Sequence, residues 1–290
     1  MCIRDSVTDE KSLETGADVR VGQEGDCERL EVDRFLEPTS AWNTPQTSIW
    51  FRAGAGCTYF LYYDNSRAGD PPEDPANVFM LWDGFDGEAL DTTWHLDAIG
   101  GATMESAVPM AGKLRLSGTT GDIGSTTDSM VLVSRSVTGD FVFDVYVTGS
   151  GGSIGGAAKM GGAMVRQSTL PEARHATISL VNTPRARAHV QRVVDGGDSE
   201  VTDIMSMEQF PELFSAQRVG GEVATLYSDD GHTFVALGVP ASLGIQDPVL
   251  AGVPFANISG GAGWIEVDWV RMRAVQVPPV NASLGDEQSL

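Results

Sequence analysis

The stretch FVFDVYV, residues 141–147, sets Phe141, Phe143, Val145 and Val147 on one side of an extended chain and Asp144 and Tyr146 on the other. A two-residue period of this kind marks a strand with one face in a core, because successive side chains of an extended backbone point to opposite faces. Similar short runs recur on both sides of it: SIWF (48–51), TYFLYY (58–63), MVLVS (130–134), HATISLV (175–181), AHVQRVV (188–194), EVATLYS (222–228) and WIEVDWVRM (264–272). They are rich in Val, Ile, Tyr, Phe and Trp, and Gly, Pro and Asp punctuate them where a helical period would need continuity. The chain is expected to be all-β, with antiparallel strands stacked in two layers. In YSDDGHTF (227–234), Asp229, Asp230 and Gly231 have hairpin-turn chemistry, so the two aspartates are expected in a turn rather than on a ligand.

Forty acidic residues against nineteen basic give a net charge of −21 over 290 residues. Such a field repels phosphate backbones and anionic membrane surfaces, and lysine occurs only at Lys11, Lys113 and Lys159. Nucleic acid is excluded as a partner, and the acidity suits a secreted, periplasmic or cell-surface setting. No apolar run reaches the roughly eighteen residues needed to span a bilayer, and no signal peptide opens the chain. The first six residues, MCIRDS, resemble the translation of a sequencing adapter. The natural beginning is therefore expected to be missing, with Cys2 set aside. Cys27 and Cys57 remain; in an oxidising compartment a bridge between them would add roughly 3 to 4 kcal/mol, and otherwise they are buried thiols.

AGDPPEDPANV (68–78) gathers Pro71, Pro72 and Pro75 with three acidic residues, which favours an extended spacer. The expected organisation is a small β module at 7–69, a linker at 70–77, a β-sandwich at 78–275 and a tail or linker at 276–290. GSGGSIGGAAKMGG (149–162) reads as a mobile loop by composition.

Four stretches of the second module, DGFDGEALDTTWHL (83–96), GGAMVRQS (161–168), QRVGGEVATLYSDDGHTFVALG (217–238) and GWIEVDWVRMR (263–273), resemble the concanavalin A-like lectin and glucanase sandwich in its laminin-G-like branch. The resemblance implies an antiparallel jelly-roll sandwich and recognition of a polysaccharide or a surface protein. In the first module ADVRV (17–21), SIWFR (48–52) and YFLYYDN (59–65) resemble the C-terminal part of a bacterial and archaeal surface domain of unknown function, whose early strands are missing here.

Glu266 and Asp268 stand two residues apart, with Cα atoms about 6.5 Å apart on one side of a strand, a spacing compatible with a retaining glycosidase pair. Related glucanases resemble Glu-x-Asp-x-Glu, in which the outer glutamates act as nucleophile and acid. Here Val270 and Arg271 occupy the places of the second glutamate, so the sandwich reads as non-catalytic. An enzyme built on Asp144 and Glu222, or a structural spacer of a large surface protein, is the alternative. The same resemblance implies one structural calcium on Asp268, with Asp83 and Asp86 of WDGFDGE (82–88) or nearby carbonyls completing the shell; a solvated outer-face aspartate is the competing reading. For sugar recognition the candidates are Trp264 and Tyr146 as stacking faces, with Asp144 and Arg166 fixing hydroxyls. GGSIG (151–155) lacks the strand and helix of a nucleophile elbow, and the four histidines have no zinc spacing.

Overall fold

The computed structural model describes residues 2–4, 12–25, 30–42, 44, 47–54, 57–154, 158–181, 186–206, 210–231, 233–258 and 261–275. Two compact units divide the chain between Met80 and Leu81, rather than at Val78.

In the first unit β1 (Cys2–Arg4), β2 (Arg20–Gly25), β3 (Leu30–Val32), β4 (Arg34–Leu36), β5 (Ser48–Phe51) and β6 (Cys57–Tyr62) make two three-stranded antiparallel sheets, ordered β1-β5-β4 and β3-β2-β6. Val19, Ile49, Phe51 and Phe79 are buried there. Arg34, 1% exposed, donates its Nε to the Val19 carbonyl at 2.6 Å and its Nη2 to the Gly16 carbonyl at 2.8 Å. The segment expected as an extended spacer instead carries the one-turn helix α1 (Pro75–Val78), ahead of the buried Phe79 that packs edge-on to Phe35. Pro75 opens the helix because the first turn needs no amide donor, and Asp74 caps it by accepting from the Ala76 N–H at 2.9 Å. Cys57 is disulfide-bonded; Cys27 lies outside the described residues, and so does the expected pairing, as do the tail at 276–290 and His232.

The second unit runs through β7 (Leu81–Asp83), β8 (His95–Ile99), β9 (Thr103–Pro109), β10 (Leu114–Thr120), β11 (Met130–Val137), β12 (Phe141–Gly152), β13 (Lys159–Arg166) and β14 (His175–Val181). It continues with β15 (Ala186–Arg192), β16 (Glu200–Ser206), β17 (Glu212–Val219), β18 (Glu222–Ser228), β19 (Val235–Ala236), β20 (Ala241–Ser242), β21 (Val249–Ala256) and β22 (Gly263–Arg273). A nine-stranded antiparallel sheet follows the order β19-β18-β17-β12-β22-β10-β9, with β20 beside β18 and β7 beside β22. A seven-stranded one follows β16-β15-β14-β13-β21-β11-β8. Phe141, Phe143, Val145 and Val147 of the first sheet meet Val165, Ile178, Leu180, Val253 and Phe255 of the second in one apolar core, which makes the unit an antiparallel β-sandwich. Among the described residues no helix is long and apolar enough to cross a membrane.

Of the glycines read as a loop, Gly149, Gly151, Gly152, Gly161 and Gly162 are here in strands. Gly149–Gly152 extend β12 alongside Glu266–Gly263, and the Trp264 indole takes the space a side chain would fill: a Cβ on Gly151 would lie 2.5 Å from it. At Gly162, φ +82° and the Ile178 carbonyl, 2.0 Å from a would-be Cβ, demand glycine at a bulge in β13.

Candidate functional site

With the apolar side of β12 in the core, Asp144 and Tyr146 project from the exterior of the nine-stranded sheet. In β22, Ile265 and Val267 point inward, but so do Val270 and Met272, three and five residues after Val267. The register shift opposite Tyr146 and Val147 explains this change of phase. It lets β22 pair with β10 over Gly263–Val267 and with β7 over Val270–Met272. It also gathers Trp264, Glu266, Trp269, Arg271 and Arg273 on the exterior beside Asp144 and Tyr146.

Two zones result. In the first, Trp264 rests on Gly151 with the Arg115 guanidinium 4.1 Å from its ring centroid. Arg115 also faces Glu266 at 3.8 Å, while Lys113 reaches Asp268 at 3.9 Å and donates to Thr148 Oγ1 at 3.0 Å. These side chains are partly exposed, so the ion pairs contribute little stability; they do balance each carboxylate with a cation. In the second zone Trp269 stacks on Tyr146 and on Trp82, with centroids 5.1 and 5.3 Å away. Beside them the fully buried Asp144 accepts from Arg271 Nε at 2.8 Å, Arg273 Nε at 3.2 Å and Ser215 Oγ at 2.7 Å. Burial would raise its pKa, but the charges of Arg273 and Arg271 and these hydrogen bonds prevail and hold it below the ordinary carboxylate value.

The structure therefore brings Tyr146, Trp264, Asp144 and Asp268 to one face, and places Asp144 inside that sheet's own ion-pair network rather than at a ligand surface. Arg166 is elsewhere, fully buried on the exterior side of the seven-stranded sheet, bound to Asp128 through Nη1 and to the Ser168 carbonyl through Nε at 2.6 Å. The Asp83 oxygens accept from the Phe85 N–H at 2.8 Å and from Trp94 Nε1 at 2.7 Å. Asp83, Asp86 and Asp268 form no cluster: among the described residues no three His, Cys, Asp or Glu side chains are grouped so as to hold a metal. The register does not bring Asp144 and Glu222 together. Asp144 pairs with Ser215 and Ser215 with Leu226, so Glu222 is two strands across and four residues along, about 16 Å away between Cα atoms. Paired glycosidase carboxyls stand within about 9.5 Å.

Two further clusters lie away from this face. Asp128 is shared by Arg166, Arg192 (2.7 Å) and His175 (3.5 Å), all with fully buried side chains. Burial would raise the Asp128 pKa; His175, Arg192 and Arg166 outweigh it and hold the carboxyl far below its usual range. Burial lowers His175, the Asp128 contact opposing and the two arginines reinforcing, so at neutral pH the arginines supply the charge that keeps Asp128 ionised. Between the sheets, Arg187 forms a bidentate pair with Glu212 (2.8 and 2.9 Å) and also bonds the exposed Asp229. Burial disfavours both charges: it prevails on Glu212, which stands above its ordinary value, and is outweighed on Arg187 by the two carboxylates. The bidentate geometry is that of an ionised pair, in keeping with the direction on Arg187. Lys113 and Arg115 were legible, alternating with the buried Leu114 and Leu116 of β10.

No family model matches the chain, and no curated protein matches it by sequence. Solved structures do. The GH43 protein BlXynB from Bacillus licheniformis aligns with a TM-score of 0.53 at 17% identity, over 79% of this chain and 47% of its own; a mutant of it gives 0.51. A functionally unknown protein from Saccharomyces cerevisiae gives 0.50 at 19% identity, over 64% of this chain and 98% of its own. The likeness is one of fold. This chain spans about half the length of the Bacillus protein, 47%.

Proposed function

We propose that the sandwich, Leu81–Val275, is a non-catalytic module of a secreted or cell-surface protein and binds a polysaccharide on the exterior of the nine-stranded sheet, at Trp264, Arg115, Thr148, Glu266 and Lys113. The carrying observation is that this face joins a partly exposed indole to hydroxyl, carboxylate and cationic groups whose charges are already balanced, so the carboxylates serve as hydrogen-bond acceptors for sugar hydroxyls. The fold shared with a GH43 protein supports a carbohydrate-related role. The net charge of −21 and the disulfide at Cys57 support an oxidising, extracellular setting.

A glycan array probed with the full chain and with Arg115→Gln and Trp264→Phe tests this. Saturable binding weakened at least ten-fold in both folded variants is expected; no binding, or equal binding by wild type and variants, defeats the proposal. One observation favours a hydrolase: Glu212 and Asp229 converge on the same Arg187 nitrogen, which puts two carboxylates within reach of one another. Reducing-end release that is lost in Glu212→Gln and Asp229→Asn would establish that reading instead.

A further inference from the structure

The loop at 167–174 and the tip of the β15–β16 hairpin lie at one end of the sandwich and are tied together: the Gly196 N–H donates to the Glu172 carbonyl at 2.9 Å and the Arg174 N–H to Asp195 at 3.0 Å. Two fully buried arginines hold them from beneath. Arg192 donates to the carbonyls of Gly197 (3.0 Å), Pro171 (2.9 Å) and Ser125 (2.5 Å), and Arg166 to those of Ser168 (2.6 Å) and Leu170. Loop tips are ordinarily polar and mobile. These are fixed, and they expose aliphatic side chains: Leu170 at 57%, Val193 at 44%, Val194 at 64% and, at the start of the return strand, Val201 at 44%. The charges exposed around them, Asp195, Asp198 and Glu200, are acidic, and Arg174 is engaged with Asp195 at 3.3 Å.

Aliphatic side chains on a rigid support suit recognition, because the entropy of ordering the loops has been met before a partner arrives. We infer that this end of the sandwich is a docking surface for a polypeptide segment that presents an aliphatic or aromatic side chain flanked by lysine or arginine. The acidic rim disfavours an anionic membrane or a second copy of this chain, and the absence of an aromatic residue among these tip side chains disfavours a sugar ring. The surface is separate from the proposed polysaccharide face and does not rest on that reading.

The test pans a random dodecapeptide phage library on the full chain and, in parallel, on Leu170→Ser/Val194→Ser. Both positions are exposed, and circular dichroism and melting confirm the variant's fold; Val239→Ser, 75% exposed and outside these two loops, serves as a control. The expected result is enrichment of peptides with Lys or Arg around an apolar residue, whose synthetic forms bind the double variant at least ten-fold more weakly and lose affinity between 0.05 and 0.5 M salt. The inference is overturned by no enrichment, by peptides without basic residues, by equal binding to the double variant, or by a concentration-dependent dimer of wild type that the double variant abolishes.

Discussion

Replacing Asp144 by alanine removes the acceptor shared by Arg271, Arg273 and Ser215. The Asp144 and Arg271 side chains are both 0% exposed, so the variant takes from a buried guanidinium the carboxylate it donates to. Breaking such a pair from one side costs about 3–5 kcal/mol. Arg273, 23% exposed, can turn toward water and adds little. In a unit of this size 1 kcal/mol corresponds to about 2–4 °C, so the melting temperature should fall by about 6–20 °C. Asp144→Leu with Arg271→Met, which removes both charges and keeps the bulk, should recover most of the loss. Thermal melts followed by circular dichroism at pH 7, with urea titrations of the same variants, give the measurement. An unchanged or raised melting temperature in Asp144→Ala would refute the reasoning, because a carboxylate retained for ligand or chemistry rather than for the sheet behaves in that way.

Acid should weaken the sandwich in two stages. His175 has a folded pKa depressed below its ordinary 6.5, so the unfolded chain gains a proton first, and stability falls as pH drops below about that value. His175→Gln should therefore flatten the difference between urea midpoints at pH 7 and pH 5. Asp128, also depressed, contributes stability above its unfolded pKa that disappears only in stronger acid, as pH falls toward its folded value. Gly151→Ala should displace the Trp264 indole and destabilise by about 1–3 kcal/mol, with a change in tryptophan fluorescence; an unchanged spectrum and melting curve would show that the indole does not sit on the glycine. Because Asp83 is occupied by N–H donors and Asp268 faces Lys113, millimolar calcium or EDTA should move the melting temperature by less than about 1 °C; a larger shift would establish calcium binding.

FVFDVYV carried the fold because a strand with one buried side writes its face into a two-residue period. GWIEVDWVRMR carries the same signal until its register shift, where the period changes phase; sequence alternation cannot say which residue is extra, so Trp269, Arg271 and Arg273 were not joined to Trp264 and Glu266. Gly149 and Gly151 read as loop because composition does not show that an indole from another strand lies over them. Pro75 looked like a breaker because its value at a first helical turn depends on the capping Asp74. The partners of Asp144 and Arg166 are 127 and 38 residues away in the chain, a pairing that only the sheet order reveals.

The most direct test of the central claim is to hold the full chain with the polysaccharide it binds best on an array and to measure reducing ends over time. The account predicts a bound, intact polymer and no release above the blank. Release that depends on protein concentration and vanishes in Glu212→Gln, Asp229→Asn, Glu266→Gln or Asp268→Asn would contradict it.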